Sequence, residues 1–429
     1  MTIGLSSPSD VAPSAMAVLM LSVFTVSMGF GVVLPLLPYL IERMLGAGSD
    51  QGQVSRATGL LTGLYTLSLF VFAPMWGRLS DRHGRRAILL IGLIGFSTTM
   101  LTFAIIDSLT GVYIERALSG LFAAAVSPVA LAAIGDLAPT EEIRGRRLTF
   151  VSLAGISGFL LGPMLGVLMS QVGSGILPMS SPTGSLAMPL AGTAVIGILV
   201  AIAAAVAIPG RTIPGSDPHQ TATTLLTDAW LVVRLLGLAF IVAAGVAVFE
   251  VGLALRGKQE LALTQVQIAT MFTECSAVMI IVQAIVFSPW LKPETTRWFI
   301  TPALGIMAAG LFAVPFATDF AMMLGVIAAV AASAGILSPI VTYWTSSKAG
   351  RAQGAELGKQ TAAASLGAAV GSAAGGMLFA SSWLPGAAFF FAFGLSLLGV
   401  LLSLKLPWML VVRAQPVAPV NSSSRRTIP

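Results

Sequence analysis

Three acids stand where acids are expensive. Of the seventeen Asp and Glu residues in this 429-residue chain, Glu115, Glu250 and Glu274 fall inside long apolar runs, and Glu115 is followed directly by Arg116. A carboxylate surrounded by hydrocarbon is costly, so it takes a proton, finds a cation or faces a water-filled cavity. The first of these is the chemistry of proton exchange. Glu274 lies two or three turns into its run, beside Thr273 and Cys275, and is the leading candidate for that chemistry. Its plain alternative is a protonated structural glutamate hydrogen-bonded to a neighbouring helix. Glu250 lies near the outer end of its run, where coupling and an interface role both fit. Glu115 and Arg116 point to different sides of a helix, so adjacency alone does not pair them. Arg116 fits either proton coupling or snorkelling to the outer interface.

Other chemistries find no support. There is no nucleophile–base constellation, so the chain does not read as an enzyme. The single cysteine, Cys275, excludes an intramolecular disulfide and a Cys-rich metal site, and its apolar surroundings read as packing. His83 and His219 fall in polar segments, and the 18 methionines are scattered without paired spacing. No metal site and no cofactor are expected.

The elements that must position these acids follow from composition. Hydrophobic residues make up 56% of the chain and charged residues 9%, against about a quarter charged in a soluble domain. The runs are continuous rather than alternating, which in lipid means helices and not a barrel. The expected class is an all-α membrane protein with twelve spans, at about 15–40, 56–76, 87–106, 112–135, 149–170, 188–208, 230–253, 265–288, 298–316, 320–344, 358–380 and 386–406. The first run has no basic segment before it and exceeds a signal-peptide core, so it reads as a retained span. A polar stretch, Pro209 to Thr227, divides six spans from six. The expected organisation is a tail over 1–14, a bundle over 15–208, a linker over 209–229, a second bundle over 230–406 and a tail over 407–429.

Charge orients the spans. With both termini cytoplasmic, 17 Lys and Arg residues lie on the inner side and four (Arg43, Arg56, Arg256, Lys258) on the outer, leaving Arg116 and Arg234 within spans. The net charge of +6 therefore reads as topology, and no nucleic acid partner is expected. A repeat supports the division into halves. Gly158, Gly162 and Gly166 each meet a glycine 209 residues later, at Gly367, Gly371 and Gly375. Ser127-Pro128 and Ser338-Pro339 recur at an offset of 211.

Three motifs then point to one family. Gly77-Arg-Leu-Ser-Asp81-Arg82-His-Gly84-Arg85-Arg86, between spans two and three, resembles the signature loop of the major facilitator superfamily. A tight helical hairpin there calls for glycine, and Asp81 can cap a helix or pair with arginine as a cytoplasmic gating latch. Its second-half counterpart, Pro289 to Arg297, keeps one acid and one arginine but neither glycine. Glu115-Arg116-Ala-Leu-Ser119-Gly120 resembles the span-four motif whose arginine is implicated in proton coupling, with Ser119 in place of the usual glutamine. Gly158-x-x-x-Gly162-Pro163-x-x-Gly166 resembles the span-five motif of drug/proton antiporters; its glycine stripe permits close helix approach and Pro163 favours a kink. Gly29-Phe-Gly31 through Pro35 and Pro38 is similar to the opening helix of twelve-span drug exporters, without the acid several of them carry.

The resemblance implies two pseudo-symmetric six-helix bundles around a central cavity. It further implies a monomeric secondary transporter in a bacterial inner membrane, or a membrane derived from it, exchanging protons for a small molecule or ion. A narrower likeness, on chain length and Thr273-Glu274-Cys275, is to magnetosome-membrane permeases of the same superfamily and implies iron as cargo. A transporter-like scaffold or sensor is the alternative without net transport. Gln283 and Tyr65 are further cavity candidates.

Overall fold

The computed structural model describes residues 13–46, 50–137, 141–176, 182–208, 229–286, 288, 291, 293–348, 353–381 and 384–410. Among them there is no strand. The helices are α1 (Pro13–Leu45), α2 (Gln51–His83), α3 (Arg85–Ile105), α4 (Leu109–Leu137), α5 (Glu141–Ile176), α6 (Pro182–Ala207), α7 (Ala229–Gln259), α8 (Gln265–Val286), α9 (Ile300–Ala313), α10 (Phe320–Lys348), α11 (Gln353–Phe379), α12 (Ala387–Ser403) and the short α13 (Leu406–Met409). A 3-10 turn over Pro293–Phe299 leads into α9, and another, Val314–Phe316, ends it. Eleven segments among the described residues are long and apolar enough to cross a bilayer, and α12 is a shorter apolar helix of 17 residues.

Two differences from the sequence reading concern ends. Span nine is not one continuous α-helix: Pro315 lacks an N–H to donate, and its segment closes as a 3-10 turn. The second tail, expected from 407, begins with the helical turn of α13. The linker over 209–228 and the chain beyond 410 lie outside the described residues.

The apolar faces collect into two cores. One joins residues from Val18 to Ile208, all on α1–α6 and the residue just after α6. The other joins residues from Leu231 to Leu410, with Leu34 of α1 reaching into it. The glycine repeat has a direct structural meaning. α5 lies against α1, where a β-carbon on Gly158 would overlap the carbonyl oxygen of Phe24 and one on Gly162 would stand 2.7 Å from that of Met28. α11 lies against α7 in the same way, with Gly367 on Phe240 and Gly371 on Ala244. Only a side chain without a β-carbon lets the backbones approach so closely. The duplicated stripe thus builds the same helix pair once in each half. The halves meet along α2 with α11 and α5 with α8; Gly59 and Gly376 face one another there, a β-carbon on Gly59 falling 2.6 Å from the Cα of Gly376.

Candidate functional site

A cavity of about 250 Å³ lies between the halves. α1 and α2 contribute Phe30 and Thr66, and α7, α8, α10 and α11 the rest of the wall, including Glu250, Met279, Ser338 and Gln360. Most of that wall is Ala, Val, Leu and Met, the usual make-up of a small-molecule pocket. Among its described lining residues, Glu250 is the one ionisable group. Gln360 donates to the Thr342 hydroxyl at 2.7 Å, while its side-chain carbonyl oxygen is buried with no hydrogen-bond partner among the described residues.

Glu274 is placed differently from its expected leading position. It lies on α8 beside the cavity rather than among its lining residues. One carboxylate oxygen is buried without a hydrogen-bond partner among the described residues. Cys275, next to Glu274 on α8, is buried. Glu250 is among the residues that line the cavity. Tyr65 stands one layer back, its ring stacked on Phe30 at 5.2 Å, and Gln283 is not part of the wall.

Glu115 and Arg116 do pair, which adjacency on a helix left open. Arg116 donates from Nε to one carboxylate oxygen at 2.7 Å and from a terminal nitrogen to the other at 2.8 Å. Both are almost fully buried, 1% and 2% exposed, which removes the snorkelling reading for Arg116. The guanidinium lies 4.5 Å from the ring centre of Phe103 and 5.6 Å from that of Tyr65. The long arginine side chain folds back along α4 to reach a neighbour its backbone does not face. Bidentate pairing and flanking rings compensate a charge that would otherwise be prohibitive here. From this pair inward, Tyr65 and Phe30 lead to the cavity.

The loop motif is partly helix. Gly77 continues α2, and a β-carbon there would meet open space, so no tight turn requires it. The turn is made by Gly84 alone, with φ of +90°. Asp81 pairs with Arg85 at 2.5 Å, and Arg85 also donates to the Ser80 hydroxyl at 2.6 Å. Arg86 donates to the Ala205 carbonyl at the end of α6, and Arg82 is exposed. Gly166 packs on Val32, and Pro163 lies within α5 against Gly31, so the span-five motif serves the α1–α5 contact.

Sequence spacing did not reveal the opposite end of the molecule, where the halves are tied together. Lys258 donates to the Pro38 carbonyl at 2.8 Å, forms an ion pair with Glu42 and lies 4.5 Å from the Tyr39 ring centre. Tyr39 donates to the Leu263 carbonyl at 3.1 Å, Ser55 to Gln259 at 3.2 Å, and Gln259 to the Gln51 carbonyl at 3.4 Å. These partners are more than 200 residues apart in the chain, beyond any local pattern. The cavity starts below this latch at Glu250 and runs toward Gln360, near the start of α11.

The model of the Major Facilitator Superfamily matches residues 19–358. The chain is 27% identical over 397 residues to the quinolone resistance protein NorA of Staphylococcus aureus (strain COL), spanning 90% of this chain and 95% of that one. It is 25% identical over 378 residues to multidrug resistance protein 2 of Bacillus subtilis (strain 168), spanning 84% and 88%. Among solved structures, a D-xylose–proton symporter superposes with a TM-score of 0.73 at 16% identity, over 92% of this chain and 98% of the other, a likeness of fold.

Proposed function

The chain belongs to the Major Facilitator Superfamily, and on that premise we propose that it is a proton-coupled exporter of small molecules working by alternating access. The observation that carries this reading is the cavity between the halves, mostly apolar, with Glu250 the one ionisable group among its described lining residues. A carboxylate in such a wall serves two ligands in turn. It binds a proton, or it stays charged and helps hold the solute, so the two compete for one group. Glu274, close by on α8, is the second coupling acid. The Glu115–Arg116 pair, already compensated, is a positioning element behind Tyr65 and Phe30.

The Lys and Arg distribution supports cytoplasmic termini, which puts the latch of Lys258, Glu42 and Tyr39 on the outer side. The structure then corresponds to a state sealed outside, with the cavity extending toward the cytoplasm. Asp81, Arg85 and Arg86 brace the α2–α3 turn at that inner end and are the gating loop. The drug-resistance relatives support efflux; the iron reading gains nothing from them. A monomer is sufficient for this cycle, since both halves come from one chain.

The test uses everted vesicles carrying the wild-type chain and given an acidic interior, so that protons leave as solute enters, with a quinolone and a panel of apolar amines as solutes. Uptake that follows the gradient and disappears in Glu250→Gln is the expected result. Wild-type uptake unaffected by collapsing the gradient would refute proton coupling, and absence of flux for every solute would favour the scaffold reading.

A further inference from the structure

At the end of the molecule away from the latch, the second half carries tryptophans on its outer face. Trp230, Trp298 and Trp408 are 75%, 43% and 70% exposed. Two of them meet: the rings of Trp298 and Trp408 pack edge to face at 5.2 Å between centres. Charge gathers at the same place. The Arg297 guanidinium lies 5.7 Å from the Trp298 ring centre. Arg234, one turn after Trp230 on α7, reaches the sulfur of Met409, next to Trp408, at 3.3 Å. Lys405 is exposed three residues before Trp408. The start of α7, the turn before α9 and α13 therefore converge on one patch, with α9 tied to α12 by Thr301 and Ser403 at 2.9 Å.

These cations are poorly satisfied. A thioether is a weak acceptor, and among the described residues no carboxylate pairs with Arg234. The Arg297 Nε is buried without a hydrogen-bond partner among the described residues. Glu294, three residues earlier, is exposed and makes no ion pair with it among them. Leading to the patch along α12 is an apolar track: Leu397, Leu401 and, just past the helix end, Leu404 are 42%, 65% and 55% exposed, spaced along one face of α12. Cations with spare donors, tryptophan rings and an apolar track match one occupant, whose parts come in the same order.

We propose that this patch is a binding site for an acidic glycerophospholipid, with Arg234 and Arg297 on its phosphate, Lys405 beside the rest of the headgroup, where its ammonium opposes a choline cation, and an acyl chain along Leu397, Leu401 and Leu404. A free phosphate would use the arginines but not the track.

Native mass spectrometry of the full chain, released from detergent with phosphatidylglycerol and phosphatidylcholine of identical chains, decides it. The wild type is expected to retain phosphatidylglycerol preferentially, and Arg234→Gln with Arg297→Gln to lower that retention about 25-fold, roughly fivefold per arginine, leaving phosphatidylcholine unchanged. The corresponding double lysine variant should keep most of the preference. If the glutamine pair unfolds, seen as loss of phosphatidylcholine as well, Arg297→Gln alone should still show the fivefold loss. Unchanged retention in the glutamine variants overturns the proposal. So does complete displacement of phosphatidylglycerol by millimolar inorganic phosphate, which would assign a soluble-anion site.

Discussion

Each half of this molecule buries a carboxylate inside the membrane, and the two are treated in opposite ways. In the first half Glu115 is held by both arms of Arg116, walled by Phe103 and Tyr65, and closed to solvent. In the second half Glu250 faces a cavity with no cation among the described lining residues. A compensated carboxylate keeps its charge and serves architecture, whereas an uncompensated one beside a solute cavity has a proton as its ready partner. On the proposed reading, two helical bundles of common pattern divide structure and coupling between them.

The sharpest way to break this contrast is Glu250→Gln. Uptake driven by a pH gradient should fall to background and solute binding should weaken and lose its pH dependence, while the amount of folded protein stays near wild type; a variant that still follows the gradient would return coupling to Glu274 or to the pair. The next largest effect falls on folding. Arg116→Ala strands Glu115 as an unpartnered buried charge, and about 3–5 kcal/mol of stability should be lost, visible as a lower melting temperature in detergent. Replacing both, Glu115→Leu with Arg116→Met, should recover most of that loss. A double variant as unstable as the single one would mean the pair is more than compensation.

The repeated stripe supplies a comparison inside the comparison. Gly158→Val and Gly367→Val each push a side chain into a facing backbone, so each should cost about 1–3 kcal/mol if the halves are mechanically equivalent. A large effect in one and none in the other would deny the symmetry. The smallest expected effect is at the latch. Lys258→Gln removes a partly exposed ion pair worth about 1 kcal/mol or less. A cysteine-accessibility assay on cavity residues should therefore show only a several-fold shift toward the outward-open state.

How much of this could be read from residues alone varied with the distance over which the pattern acts. Apolar runs of membrane length marked nearly every helix, and the glycines at offset 209 mapped onto the contacts of α5 with α1 and α11 with α7. Local spacing was enough there because a stripe on one helix dictates a close approach by another. It could not decide the pairing of Glu115 and Arg116, since a flexible guanidinium can swing back to a neighbour its backbone does not face. It misled at Gly77, which shares a motif with Gly84 but occupies a helix instead of the turn. The preference for Glu274 over Glu250 could not be tested from one strand of text, because membership of a cavity wall depends on six helices at once. Lys258 and Glu42, 216 positions apart, give no signal in either neighbourhood.

That last pair has a consequence for economy of the cell. Lys258 is gripped at once by a carbonyl, a carboxylate and an aromatic ring, so the outer closure works as an electrical seal as well as a mechanical one. On the proposed reading, in which Glu250 carries the proton and this end faces outward, a proton leaving that way meets the Lys258 ammonium and its paired Glu42. Loosening the seal should then raise passive conductance even where turnover hardly changes.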